Sequence, residues 1–406
     1  METTRHHQGE RLPSLTGMRF IAALLVFAFH AAYEFPFRDQ GIGGDYSRAV
    51  ADAGALGVGF FFVLSGFVLT WTARPDDSAR RFWRRRAVKI YPNYVVAWIA
   101  AFVLMVAAGE AVTASAAVPN LLLVHAWVPR ANILFSMDDV SWTLSCEALF
   151  YLAFPVLFLL VRRIRPTLLW PAAGLIVVVV LVLPLVAKLL PASPLFVTTP
   201  VWRLWLVYML PPVRTLDFVL GMVMARILQT GKWIRVGLGP AVVLVAIGYY
   251  ISLHVPNLYT FVAATIIPIA LVIPAAAAAD LRERFSPLRN RVMVWLGEIS
   301  FAFYLLHRLI LKYGHIALGR RRTWDTAPAV GLILLALALA ITAAWLLHVL
   351  VEKPAMRRFA VSKHTRPAAP AEPAGAGPAV IGPAGARAAE PSRSAPAGAA
   401  PEPVGP

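Results

Sequence analysis

The sequence carries little charge and almost no cysteine. Of its 406 residues only 15% are Asp, Glu, Lys or Arg, and Cys146 is the single cysteine. A soluble domain is about 25% charged, so few side chains here are suited to a water-exposed surface. One cysteine excludes an intrachain disulfide framework and a cysteine-rich metal site. P-loop, His-Glu-x-x-His and glycine-rich dinucleotide motifs are also missing, so we predict no metal ion and no permanently bound cofactor.

Hydrophobic residues, by contrast, make up 59% of the chain. They recur in nearly uncharged runs of about 20 residues, the length that crosses a bilayer as a helix. The sequence therefore predicts an all-α, polytopic membrane helical bundle, a multi-pass protein of the cell membrane. We predict about ten transmembrane helices, at residues 15–33, 54–73, 90–109, 147–161, 168–188, 213–228, 237–253, 258–279, 295–314 and 327–350.

The basic residues indicate the orientation of these spans. The net charge of +17 is concentrated in short loops between apolar runs, notably 74–89. Lys and Arg mark cytoplasmic loops, and ten spans with both the N- and C-termini cytoplasmic place the main basic loops inside. Residues 320–322 are the misfit, because they fall outside. The same distribution argues for the lipid bilayer as a partner and against nucleic acid.

Three regions follow from this pattern. Residues 1–14 are a cytoplasmic N-terminal segment, and residues 15–358 form the membrane domain. Residues 359–406 are rich in Ala, Pro and Gly, so they cannot bury enough apolar surface to order themselves, and we expect a disordered cytoplasmic tail. The apolar segment 117–128 is too short to span and is predicted to be re-entrant or interfacial.

The first predicted span contains two ionisable residues, Arg19 and His30. Such residues are costly inside a membrane and are therefore functional candidates. Eleven residues make almost three helical turns, so both side chains share one face, roughly 16 Å apart along the axis. Histidine suits proton transfer near neutral pH. The alternative is a structural His30 bonded to a neighbouring helix, with Arg19 reaching the headgroups.

A dense cationic cluster precedes the third span, at Arg84, Arg85, Arg86 and Lys89. Clustered Arg and Lys suit phosphate groups, and Arg can make bidentate contacts with them. The cluster is accordingly a candidate binding site for a phosphate-bearing co-substrate. The alternative is that it only holds the loop inside or touches anionic lipid.

Further candidates lie in later spans. Glu147 begins a helix, where the dipole favours an anion, and is either catalytic or a capping carboxylate. Arg214 and Asp217 stand at i and i+3 and are expected to pair. His307 is a second intramembrane histidine, which either lines a substrate pocket or is a hydrogen-bonded histidine of the core. We expect a substrate pocket lined by Ser65, Trp142, Tyr304, His307, Arg214 and Asp217.

Taken in order, these motifs resemble the acyltransferase-3 family of membrane O-acyltransferases over about residues 11–358. The resemblance rests on motifs at residues 15–30, 57–67, 85–92, 141–151, 299–307 and 352–354. The family hallmark of an Arg followed after ten residues by a His matches Arg19 and His30. A second hallmark is Arg-x-x-Arg, and the corresponding residues here are Arg86-Ala87-Val88-Lys89. The Lys keeps the positive charge but lacks the planar guanidinium of Arg.

The resemblance implies an enzyme that transfers an acyl group from acyl-CoA, a co-substrate, to a hydroxyl. His30 would be the general base, and Arg19 would orient the donor or steady developing charge. The acceptor would be a sugar-containing compound, either a macrolide or other secondary metabolite or a cell-surface glycan, and the sequence does not separate these. The alternative function is a transporter or flippase of acylated sugar compounds.

Overall fold

The computed structural model describes residues 12–34, 37–74, 77–196, 198–320 and 322–360, and almost all of them are helical. The first half contains α1 (Pro13–Glu34), α2 (Gln40–Val50), α3 (Ala53–Trp71), α4 (Ala79–Ala107), α5 (Ala114–Leu121), α6 (Ala131–Leu134), α7 (Trp142–Arg163) and α8 (Leu169–Ala187). The second half contains α9 (Val201–Leu204), α10 (Pro211–Gln229), α11 (Leu238–Ser252), α12 (Asn257–Thr260), α13 (Ile266–Leu281), α14 (Arg291–Gly319), α15 (Thr326–Leu347) and α16 (Lys353–Ala355). A small antiparallel hairpin pairs β1 (Leu195–Phe196) with β2 (Thr199–Pro200).

Apolar helices occupy all ten predicted positions. Among the described residues, eight helical stretches are long and apolar enough to cross a membrane. The other two, α11 and α13, have 15 and 16 residues, shorter than the about 20 that a bilayer crossing needs. The predicted all-α, polytopic membrane bundle is confirmed. The cytoplasmic position of the termini stays a prediction.

Helix burial separates the centre of the bundle from its rim. Nearly every side chain of α3 is buried, and α3 packs against α1 and α10. On α8, large aliphatic side chains such as Leu175 and Val178 are exposed. Apolar side chains on an outer surface suit contact with lipid rather than water. The interior of the protein therefore lies around α1, α3, α10 and α14.

Glycines on α3 and α10 allow a very close approach of two helices in this interior. A Cβ atom added to Gly66 would collide with the carbonyl oxygen of Phe218, and one added to Gly221 would collide with that of Val63. Small residues let membrane helices approach backbone to backbone, where close packing replaces the missing hydrophobic driving force. The two glycines thus set the spacing of α3 and α10.

We expect Gly66→Ala to destabilise the protein by about 1–3 kcal/mol, because the methyl group forces the two backbones apart. Gly174 on α8 is the matched control, since nothing lies within 4 Å of its added Cβ. Gly174→Ala should leave stability unchanged or slightly higher, because Ala is the better helix former. Thermal unfolding of both variants in detergent measures the difference, and equal melting temperatures would contradict the packing role.

Two segments predicted as loops contain helix. The predicted basic loop 74–89 is helical from Ala79 onward, and Ser78 Oγ caps α4 by accepting from the Arg81 amide at 3.4 Å. The predicted loop between the first two spans contains α2. Hydropathy locates the apolar part of a helix but not its polar extension, which explains both corrections.

The segment 117–128 is confirmed as shorter than a span. It consists of the end of α5 and a 3₁₀ turn at His125–Trp127, and an eight-residue α5 rises only about 12 Å. Residues 136–138 and 140–141 are buried, so the chain enters α7 from within the protein. This brings the first turns of α7 into the interior.

The structure describes part of the arginine cluster 320–322 and part of the predicted end regions. Arg320 lies 3.6 Å from Glu110 in an ion pair, so its charge is countered by the α4–α5 connection. Phe359 and Ala360 are helical, within the π-helical turn Met356–Ala360. The rest of the predicted tail and most of the N-terminal segment lie outside the described residues, and the predicted boundaries of the membrane domain stay predictions.

Candidate functional site

The motifs that lie far apart in sequence meet at one cavity, here named the cationic cavity. It has a volume of about 110 Å³ and lies among α1, α3, α4, α7 and α14. Its polar walls are Arg19, Ser65, Arg86, Lys89, Glu147 and Tyr151. Arg86 and Lys89 share a wall because residues three apart lie on the same face of a helix, which follows from the helical extension of α4.

The cations of this cavity lack hydrogen-bonding partners among the described residues. Arg19 and Lys89 make no hydrogen bond or ion pair there, and Arg86 Nε is buried without an acceptor. The Arg86 guanidinium carbon lies 5.6 Å from the centre of the Phe82 ring and 5.9 Å from that of Tyr151. The three side chains are half-buried, and cations that face a protein interior are normally paired, so the cavity has unused capacity for an anion.

Glu147 supplies the one carboxylate of the cationic cavity's walls. Its Oε2 accepts a hydrogen bond from Tyr151 Oη at 3.2 Å. Three cations facing one carboxylate leave the cavity with a positive excess. The sequence predicted Arg19 and Glu147 on two different spans and did not place them together. They meet because α7 begins inside the bundle.

A second space, the upper cavity, adjoins the first. It has a volume of about 30 Å³, enough for about two waters. The two cavities share Arg19, Phe61, Glu147 and Phe301. The upper cavity also reaches Thr143 and Tyr304, and Thr143 Oγ1 donates to Tyr304 Oη at 3.1 Å. Together they form a passage along α1 that begins at cations and ends at Tyr304.

Two histidines meet beyond Tyr304. His30 Nδ1 lies 3.1 Å from His307 Nε2, and His307 Nδ1 lies 2.7 Å from the Tyr304 carbonyl oxygen. His307 is fully buried and stacks on Phe303, whereas His30 is half-buried. His30 lines neither cavity, and it is linked to the passage through His307 and Tyr304. A neutral imidazole in such a setting can accept a proton.

An ionic network adjoins the histidine pair. Arg308 Nε donates to both carboxylate oxygens of Asp139 at 2.9 Å, and Arg308 also pairs with Glu34. Glu34 lies 3.2 Å from His315 Nδ1. Burial raises the pKa of Asp139, but the adjacent Arg308 guanidinium outweighs this effect and holds it below its usual range. The network ties α1, α14 and the segment before α7 together next to His30.

Other predicted site residues lie away from the two cavities. Arg84 is exposed, and Arg85 pairs with Asp77, whose pKa it holds below its usual range. Trp142 is buried against the rings of Phe62 and Tyr208.

The predicted pairing of Arg214 with Asp217 is confirmed. Arg214 Nη2 lies 2.7 Å from Asp217 Oδ2, and both side chains are buried. The pair lines neither cavity, so its contact with a substrate stays a prediction.

Several contributing residues were not identified as site residues from the sequence. Phe61 and Phe301 form walls of both cavities, and their only signal was membership in the motifs at 57–67 and 299–307. Glu352 accepts from Asn93 Nδ2 at 2.9 Å and pairs with His348. Asn93 lies one turn beyond Lys89 on α4, so Glu352 anchors the helix that carries the cationic wall.

Comparison with known proteins adds the evolutionary context. The sequence model of a family described as an acyltransferase domain matches residues 12–349. The acyltransferase MdmB of Streptomyces mycarofaciens is 44% identical over 357 residues, which cover 86% of this chain and 92% of that protein. No solved structure matches the chain.

Two more distant relatives carry names that mention polysaccharides. The exopolysaccharide production protein ExoZ of Rhizobium meliloti is 26% identical over 75% of this chain and 90% of its own length. The peptidoglycan O-acetyltransferase OatA of Listeria monocytogenes is 25% identical over 40% of this chain and 26% of its own length.

Proposed function

This chain belongs to the acyltransferase-3 family and is a multi-pass membrane O-acyltransferase, and from that premise we propose that acyl-CoA is its donor and that a sugar-containing compound is its acceptor. In this proposal His30 is the general base for the acceptor hydroxyl. The acceptor is a macrolide or other secondary metabolite, or a cell-surface glycan.

One observation carries the donor assignment: the cationic cavity has three cations without hydrogen-bonding partners among the described residues. Coenzyme A combines phosphate groups with a long, thin arm that ends in the thioester. Arg19, Arg86 and Lys89 suit the phosphates, since Arg and Lys bind phosphate through charge-assisted hydrogen bonds. The upper cavity continues from these cations to Tyr304, beside the histidine pair, and so gives the direction in which the arm would extend.

The placement of Arg84 and Arg85 refines this assignment. Arg84 is exposed and Arg85 already pairs with Asp77. We therefore assign tight phosphate binding to Arg19, Arg86 and Lys89, and give Arg84 and Arg85 at most a role in attracting the anion. Steering by exposed charges is weakened by salt, whereas contacts inside the cavity are weakened much less.

The base assignment rests on His30 being linked to the end of the passage. His30 lies on the same face of α1 as Arg19 and contacts His307, which bonds to the Tyr304 backbone. A neutral imidazole there can take the proton of an acceptor hydroxyl as that oxygen attacks the thioester carbonyl. General base catalysis of this type contributes about 10²–10⁴-fold.

The acceptor assignment is supported by chemistry and by the names of relatives. O-acylation needs a hydroxyl, and sugars present many of them. A peptidoglycan O-acetyltransferase and an exopolysaccharide production protein are among the relatives. The relative with 44% identity is named only as an acyltransferase, so both acceptor classes are carried into the test below.

A thiol assay tests the donor. The purified protein in nanodiscs is incubated with acetyl-CoA or a longer acyl-CoA, with and without an extract of cellular glycans and metabolites. We expect free CoA to appear in proportion to enzyme and acceptor extract. Absence of CoA release with every acyl-CoA, from protein that is folded by thermal unfolding, would contradict the donor assignment.

Mass spectrometry tests the acceptor. Small metabolites and surface glycans from cells with and without the gene are compared for a mass increase equal to the acyl group. An acylated macrolide or an acylated glycan each identifies one of the two acceptor classes. Acylation only of a compound without sugar would contradict the sugar-containing acceptor.

A further inference from the structure

Three groups form a continuous hydrogen-bonded chain next to the upper cavity. His30 Nδ1 lies 3.1 Å from His307 Nε2, and His307 Nδ1 lies 2.7 Å from the carbonyl oxygen of Tyr304. The carbonyl oxygen can only accept a hydrogen bond. His307 Nδ1 must therefore carry a proton, whatever the state of the rest of the chain.

The surroundings of His307 determine the protonation state of its second nitrogen, Nε2. The ring is completely buried, stacked on Phe303 with centroids 5.8 Å apart and 6.3 Å from the Phe27 ring centre. Among the described residues His307 makes no hydrogen bond or ion pair to a carboxylate. A buried charge without a partner is strongly disfavoured, so the imidazole is neutral. In a neutral imidazole with a proton on Nδ1, Nε2 is an acceptor.

An acceptor at His307 Nε2 requires a donor at His30 Nδ1. The opposite arrangement would set two unprotonated nitrogens 3.1 Å apart with no proton between them, and one hydrogen bond of a buried polar group would be lost. His30 therefore carries its proton on Nδ1, and its Nε2 has a free lone pair. The His30 ring also has a backbone partner in the carbonyl of Val26, which lies one turn back on α1 and can only accept a hydrogen bond.

We propose that His307 is a positioning residue that selects the Nδ1-protonated tautomer of His30, so that Nε2 of His30 is the basic nitrogen. This proposal rests on the assignment of His30 as general base, and it adds which nitrogen acts and what determines it. The Tyr304 backbone carbonyl fixes the tautomer of His307, and His307 in turn fixes the tautomer of His30.

The proton inventory of the transfer step is consistent with this arrangement. Nε2 of His30 takes the hydroxyl proton as the acceptor oxygen forms its bond to the thioester carbonyl carbon. When the tetrahedral intermediate collapses, the carbon–sulfur bond breaks and the same proton passes to the leaving thiolate. In between, His30 is an imidazolium whose Nδ1–H continues to donate to His307 Nε2. His307 thus stays neutral and holds the ring orientation throughout.

Two substitutions of His307 separate positioning from packing. His307→Gln retains a carbonyl oxygen that can accept from His30 Nδ1–H, whereas His307→Leu fills similar space without any acceptor. We expect kcat of the Leu variant to fall about 10²-fold and that of the Gln variant to stay within about tenfold of wild type. KM for acyl-CoA should change little in either variant, because the cations of the donor cavity are untouched.

Solid-state NMR of the protein labelled with ¹⁵N-histidine reads the tautomer directly. The chain has nine histidines, and the signals of His30 are identified by their loss in His30→Gln. We expect a protonated Nδ1 and an unprotonated Nε2 in wild type, the same pattern in His307→Gln, and a mixture or reversal in His307→Leu.

Protonation of His30 at Nε2 in wild type would overturn the proposal, as would equal kcat losses in the Leu and Gln variants with an unchanged tautomer. The NMR result does not depend on turnover. If the protein transferred no acyl group from acyl-CoA, the spectrum would still decide the tautomer assignment, and the two failures would be distinguished.

Discussion

Replacement of His30 by alanine is expected to lower kcat for acyl transfer by about 10²–10⁴-fold, the contribution typical of a general base. The imidazole is linked to the end of the passage through its contact with His307, which in turn bonds to the Tyr304 carbonyl. Without it, the acceptor hydroxyl must lose its proton to water. KM for acyl-CoA should stay within about threefold, because uniform donor binding is not affected.

The measurement is steady-state kinetics of the two variants and the wild type in nanodiscs, at matched amounts of folded protein. His254, exposed at the end of α11 and bonded only to the Tyr250 carbonyl at 2.7 Å, provides the matched control, and His254→Ala should retain full turnover. Loss of activity in His30→Ala with a lowered melting temperature and a raised KM would instead mean that His30 is a packing residue. Undiminished turnover would remove it from the mechanism.

The alignment of Arg19 and His30 was predictable because it is local. Both lie on one helix, and the helical period alone places eleven residues on one face. The positions of the apolar helices were predictable for a similar reason, since water is absent from the bilayer core and each span must satisfy its own backbone. Sequence periodicity therefore predicts which residues share a helix face and where the apolar helices lie.

The partner of His30 was not predictable from periodicity. His307 lies 277 residues away along the chain, and its approach depends on how α1 packs against α14. Glu147 shows the same limit: its depth depends on the buried segment before α7, which has no helical or apolar period. Contacts between helices that are distant in sequence depend on tertiary packing. The periodicity of a single sequence does not predict that packing.

The cationic wall shows a prediction that was right in composition and incomplete in geometry. The sequence identified the cluster 84–89 as a candidate phosphate site. If this segment were a loop, its four cations would be equivalent candidates for phosphate binding. On a helix, residues three apart share a face and their neighbours point elsewhere. The helical extension of α4 therefore explains why Arg86 and Lys89 reach the cavity while Arg85 pairs with Asp77.

Arg19→Gln is the second large effect. Arg19 stands where the two cavities meet and makes no hydrogen bond or ion pair to the described residues. Losing one partner of a charge pair inside such a cavity costs about 2–5 kcal/mol, so we expect kcat/KM for acyl-CoA to fall about 30-fold to 4 × 10³-fold. The control is Arg84→Gln, an exposed arginine whose loss should leave kcat/KM nearly unchanged.

The spacing along α1 decides which kinetic constant changes. Arg19 and His30 are roughly 16 Å apart along the helix axis, too far for one to contact the oxyanion while the other takes the hydroxyl proton. Arg19 is therefore a donor-binding residue, and its loss should raise KM for acyl-CoA with kcat nearly unchanged at saturation. A fall in kcat with unchanged KM would instead assign Arg19 to the developing charge of the transition state.

A double variant separates anion binding from simple charge balance with Glu147. Arg19→Gln combined with Glu147→Gln restores the net charge of the cavity walls but not the guanidinium. If Arg19 only neutralised Glu147, the second substitution would return kcat/KM to the wild-type value. Because a guanidinium binds phosphate through paired N–H donors that a restored net charge does not replace, we expect the double variant to stay at least about tenfold below wild type.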